Sequence, residues 1–84
     1  MNRAVKLIIQ GKVQGVGYRR GLAQQVEELE LKGYVKNLST GEVEAMVGGD
    51  ELTIQELLQR SWLGPSRAEV SRIIQTHQPS QIRI

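Results

Sequence analysis

The stretch from Gln14 to Arg20 reads QGVGYRR, and it concentrates residue types that could do chemistry. Gly15 and Gly17 lie two apart, and Arg19 and Arg20 follow directly after Tyr18. Glycine admits positive φ and lets a ligand come close to the main chain. Successive backbone N–H groups in such a turn can converge on an anion, and a helix N-terminus adds a favourable dipole. An arginine folded back over the turn supplies a planar fork of donors that matches phosphate oxygens. These residues support two readings: a cradle for a small anion, or a tight turn flanked by solvated arginines. Two phosphate loops are excluded. A dinucleotide G-x-G-x-x-G pattern needs a third glycine where Arg20 stands, and no G-K-S or G-K-T follows a glycine loop.

Other candidates for chemistry are few. The chain has no cysteine, which removes disulfides, thiolate metal sites and a thiol nucleophile. His77 is the single histidine, set in the polar run QTHQPSQ, and reads as a surface residue without a second metal ligand. Asn37 ends the run GYVKN, where an isolated asparagine is usually a turn residue.

The elements that must position these residues alternate in type. In VKLIIQGKV, residues Val5, Leu7, Ile9, Gly11 and Val13 recur at period two, a strand signal with Ile8 on the other face. LAQQVEELEL carries Leu22, Val26 and Leu29 on one helical face, with Glu27, Glu28 and Glu30 as its solvated side. GYVKNL and EVEAMV are β-prone and joined by STG, with Gly41 suited to the left-handed position of the turn. Asp50 suits the N-cap of a second helix whose apolar face is Ile54, Leu57, Leu58 and Trp62, and Gly64-Pro65 ends it. Trp62 on that face reads as core or rim packing rather than a binding platform. AEVSRII and QIRI read as closing strands. The order is strand, helix, strand, strand, helix, strand. This is an α+β chain in the split βαβ arrangement, an antiparallel sheet with both helices on one face. QGVGYRR is then the connection from the first strand into the first helix.

Bulk properties narrow the function. With 84 residues, 1–84 is one small domain with an aliphatic core. Its net charge is +2, from 11 basic and 9 acidic side chains, less than a dedicated duplex-DNA binder carries. The apolar run near the N-terminus is too short for a signal peptide or a membrane span. The expected protein is cytoplasmic and monomeric, with no membrane or nucleic-acid partner.

Two separate stretches resemble the acylphosphatase family. GKVQGVGYR, from Gly11 to Arg19, looks like its first signature, and GYVKNLSTGEVEAMVGG, from Gly33 to Gly49, like its second. WLGPSRAEV resembles the family's usual helix end and fourth strand, so the resemblance covers nearly the whole chain. It implies a ferredoxin-like βαββαβ fold and the hydrolysis of acyl phosphates to carboxylate and phosphate, with no metal and no organic cofactor. By position, it implies that Arg19 binds the substrate phosphate and Asn37 orients the attacking water. The backbone from Gln14 through Gly15, Val16, Gly17 and Tyr18 to Arg19 would complete the phosphate cradle. Inorganic phosphate or sulfate would compete for it. Arg20, about 100° further around the helix axis, is assigned to solvent or to weak steering of anions.

Three positions depart from the family pattern. Tyr18 replaces the more usual phenylalanine and is expected to pack and fix the cradle. Gly21 stands early in the first helix in place of a larger residue, and could widen the pocket near the phosphate. Glu30 replaces a small residue, often glycine, near the helix end, and carries strain if its backbone is left-handed.

Two other functions share this arrangement of elements. A small RNA-binding domain would expose two or three aromatics on its central strands. Here the aromatics are Tyr18, Tyr34 and Trp62, with Tyr18 in the turn and Trp62 on a helix. A non-catalytic phosphate-binding module is the other alternative. The same signature occurs as a domain of larger carbamoyl-transfer maturation proteins, and the short chain is expected to be the free-standing enzyme instead.

Overall fold

The computed structural model of the chain describes residues 2–78. The elements follow the expected order: β1 (Asn2–Lys12), α1 (Tyr18–Glu28), β2 (Lys32–Asn37), β3 (Val43–Asp50), α2 (Glu51–Ser61) and β4 (Glu69–Gln78). The QIRI segment, read above as a closing strand, lies outside the described residues. The sheet runs β2-β3-β1-β4, and each neighbouring pair is antiparallel.

Alternation along β1 and β3 builds the floor of the core. Val5, Leu7 and Ile9 from β1 and Val43, Ala45 and Val47 from β3 are all fully buried. Register pairs them across the two central strands, Val5 with Val47, Leu7 with Ala45 and Ile9 with Val43. The helices cover this face with Leu22 and Val26 from α1 and Ile54 and Leu57 from α2. None of the helices among the described residues is long and apolar enough to cross a membrane.

Helix ends obey local chemistry. The Asp50 carboxylate accepts the Leu52 N–H at 3.1 Å and caps α2. At the end of α1, the Glu30 N–H donates to Glu27 O and the Leu31 N–H to Val26 O, both at 3.0 Å. This pair of bonds is a Schellman motif. The motif needs a left-handed residue, and Glu30 supplies it with φ 57°. The strain expected at Glu30 is therefore present.

Trp62, read as core or rim packing, is the C-cap of α2, and half of its surface is exposed, which puts it at the rim rather than in the core. Ser61 is buried instead, because it lies four residues after Leu57 and seven after Ile54, in the middle of the inward face of the helix. Gly21 does not widen the pocket beside the glycine turn. It lines a separate cavity of about 610 Å³ with Leu63, Gly64 and Pro65. A side chain at position 21 leaves the helix on the flank facing the α2–β4 connection, away from the turn.

Candidate active site

The connection between β1 and α1 is shaped by its glycines. Gly15 has φ 73° and Gly17 φ 82°, both in the region that side-chain-bearing residues avoid. Gly17 is the N-cap of α1 and contributes no side-chain cap. The first helical bond runs from the Gly21 N–H to Gly17 O at 3.1 Å. By helix geometry the N–H groups of Tyr18, Arg19 and Arg20 then have no acceptor within the helix.

The charges at this helix start are unfavourable on their own. The first turn of α1 holds no acidic residue. It holds Arg19 and Arg20, and cations are disfavoured at the positive end of a helix dipole. Neither arginine pairs with a carboxylate among the described residues. Uncapped donors and two unpaired guanidinium groups at one point offer a strong field to an anion.

A cavity of about 210 Å³ opens there, lined by Val13, Gly15, Gly17, Tyr18, Arg19, Arg20 and Asn37. It brings Asn37, the last residue of β2, beside Arg19, the second residue of α1. Among the described residues, no carboxylate lines it. The nearest acid along the β2–β3 turn, Glu42, accepts from Gln10 Nε2 at 2.7 Å and Thr40 Oγ1 at 2.8 Å. Those bonds, Gln10 first, hold its carboxyl below the usual carboxylate range.

Gln14 and Val16 do not line the cavity. Val16 packs against the core. The Gln14 side-chain amide donates to Leu38 O at 2.8 Å and to Glu42 O at 2.9 Å. It thus ties the glycine connection to the turn that follows Asn37. Nothing in the local sequence signals this tie, because its partners lie 24 and 28 residues away.

Tyr18 is buried under the cavity, and its hydroxyl donates to Ser61 O at 2.6 Å. That carbonyl belongs to the last turn of α2, where helix geometry leaves carbonyls without partners. Burial pushes the Tyr18 hydroxyl pKa up to about 12. Tyr18 therefore does more than fill the space of a phenylalanine, since it joins the start of α1 to the end of α2.

Arg20 corrects an expectation as well. It was assigned to solvent or steering, yet it lines the same cavity as Arg19. Side chains on a helix lean toward its N-terminus. A long side chain in the first turn therefore reaches back over the connection that precedes the helix, despite the rotation between neighbouring positions.

A profile of the acylphosphatase family matches residues 5–84. The chain belongs to that family. An acylphosphatase is an enzyme that hydrolyses a small acyl phosphate to carboxylate and phosphate. A curated acylphosphatase from Acaryochloris marina is 44% identical over 69 residues, which are 82% of this chain and 74% of that protein. The solved acylphosphatase from Coxiella burnetii superposes with a TM-score of 0.89 at 35% identity, covering 98% of this chain and 86% of that one. Full-length HypF, solved in a phosphate- and nucleotide-bound form, superposes with a TM-score of 0.88 at 28% identity. There the match covers 96% of this chain but 11% of HypF. The acylphosphatase fold thus occurs both in small chains and inside a much larger one.

Proposed function

We propose that this acylphosphatase binds its substrate phosphate in the β1–α1 connection and hydrolyses it with water held by Asn37. The observation that carries the reading is the cavity shared by Gly15, Gly17, Arg19 and Asn37 at an uncapped helix start, lined by no carboxylate among the described residues. Backbone amides of Gly15, Gly17, Tyr18 and Arg19 and the Arg19 guanidinium hold the phosphoryl oxygens. Asn37 positions the water opposite the leaving group through its side-chain amide, which both accepts and donates hydrogen bonds.

The chemistry requires little else. Water oxygen forms a bond to phosphorus as the bond from phosphorus to the acyl oxygen breaks. The electron pair of the broken bond leaves on the carboxylate, which needs no proton to depart. The water proton passes to a phosphoryl oxygen of the substrate. Such transfers are governed by positioning and by charge stabilisation on the equatorial oxygens, which preorganised amides and one guanidinium can supply. A carboxylate in place of Asn37 would repel the phosphate.

The protein acts as a monomer, a single domain spanning 1–84, without a metal ion, and inorganic phosphate or sulfate competes with the substrate. The lack of cysteine suits a reducing compartment, and we assign the reaction to the cytoplasm. The test is phosphate release from acetyl phosphate with and without excess chelator, paired with a phosphate titration followed by amide NMR. Turnover should survive the chelator, and shifts should centre on residues 14 to 19. Chelator-sensitive turnover restored by a divalent ion would overturn metal independence. A folded protein that binds phosphate but turns over no acyl phosphate would be a binding module.

A further inference from the structure

We propose that Arg20 selects among acyl phosphates by contacting the acyl part, favouring substrates whose acyl group carries its own carboxylate. This rests on Arg19 being the phosphate ligand. Arg20 lines the same cavity, is exposed, and forms no ion pair among the described residues. An anion therefore need not displace an existing partner to reach it.

Charge counting shows why a second anionic group fits. Arg19 contributes one positive charge and the N-terminus of α1 about half of another. Together they nearly balance a phosphate dianion. Arg20 adds a further positive charge to a cavity lined by no carboxylate among the described residues. The positive charge then exceeds a phosphate dianion by about half a unit, and a carboxylate on the acyl group would meet that surplus at Arg20. The two side chains also leave the helix about 100° apart. They approach the cavity from different directions, as ligands for two groups rather than one.

The discriminating pair is butyryl phosphate and succinyl phosphate, which match in length and differ in a terminal methyl against a carboxylate. The measured quantity is the ratio of kcat/KM for succinyl to butyryl phosphate at low ionic strength. Arg20→Gln should lower that ratio about fivefold, the scale of one solvent-exposed ion pair. Arg20→Lys should keep most of it, because one carboxylate needs only a point charge. An equal loss on both substrates would make Arg20 a second phosphate ligand and overturn the proposal. An unchanged ratio would return Arg20 to solvent and overturn it too. Arg72→Gln removes an exposed cation on β4 that does not line the cavity. If that variant lowers the ratio as much as Arg20→Gln does, the preference is a property of the overall field and the proposal fails. The Arg19 reading is judged separately: Arg19→Gln should fail on both substrates, and full turnover of both would remove that reading whatever the Arg20 ratio shows.

Discussion

The side-chain amide of Gln14 donates to the carbonyl of Leu38 at 2.8 Å, and Leu38 directly follows Asn37. One glutamine therefore sets the glycine connection against the strand end that carries the proposed water-holding group. The carbonyl of Glu42, which accepts the Leu38 N–H at 2.8 Å, also takes a bond from Gln14. The same amide thus closes the mouth of the β2–β3 hairpin.

Loosening this tie should damage turnover more than binding. In Gln14→Ala the two bonds are lost and Asn37 gains freedom relative to the cradle. Misplacement by about 1 Å can cost a hundredfold in rate, so a fall in kcat of about tenfold or more is expected, with competitive inhibition by phosphate nearly preserved. Gln14→Glu keeps the shape but not the donors and should fall at least as far. Normal kcat in both variants would show that the hairpin holds Asn37 without help.

Arg19 and Asn37 should separate cleanly in steady-state kinetics. In the proposed mechanism Arg19 touches the phosphate in the ground state and the transition state alike. Arg19→Ala should weaken phosphate inhibition and slow turnover together, and Arg19→Lys should rescue poorly because a point charge cannot reproduce the fork. Asn37→Ala should lower kcat by about a hundredfold or more while phosphate still inhibits. Near-full turnover of Asn37→Ala would leave Asn37 a turn residue.

Tyr18 should give the protein a specific alkaline sensitivity. Its folded pKa is raised by burial to about 12, from an ordinary value of 10. A raised acid pKa means that the neutral form is favoured by folding. The associated stability is complete below about pH 10 and is lost as pH rises toward the folded value. Tyr18→Phe has no such loss, but gives up the bond to Ser61 O, at about 1 kcal/mol near neutrality. Urea unfolding of both proteins from pH 7 to 12 should show the native advantage constant up to about pH 10 and shrinking above it. Parallel curves throughout would contradict the buried phenol.

Two backbone positions should tolerate stabilising changes. Glu30 is the left-handed residue of the Schellman motif, at φ 57°. Glu30→Gly should stabilise by about 1 kcal/mol, since that conformation costs a side-chain-bearing residue roughly 1–2 kcal/mol and glycine returns part of it as chain entropy. Gly21 lies inside α1, and a Cβ built there meets nothing within 4 Å. Gly21→Ala should also gain about 1 kcal/mol. For a chain of this size each should raise Tm by about 4–8 °C in a thermal melt. No gain at Gly21 would mean that the open flank beside it exacts a cost the helix does not show.

Period-two burial in β1 and the apolar spacing in both helices were legible in the chain, because each rests on contacts repeated every two to four residues. Asp50, Gly41 and the glycines of QGVGYRR were legible for a related reason: cap and turn chemistry is decided by the residue itself. The resemblance to the family's two signatures singled out Arg19 and Asn37, and both line one cavity. Tertiary structure alone decided what spans the chain. The Tyr18 hydroxyl found Ser61 O, 43 residues on, because the two helices lie together on one face of the sheet. Gln14 found Leu38 for the same kind of reason, since the connection after β1 and the turn after β2 meet at one end of the sheet. Gly21 opened onto a flank that no local pattern marks, and Arg20 reached the cavity because first-turn side chains lean back over the helix start. Side chains that meet through the packing of separate elements leave no periodic trace in sequence, and the sheet order β2-β3-β1-β4 brings these together.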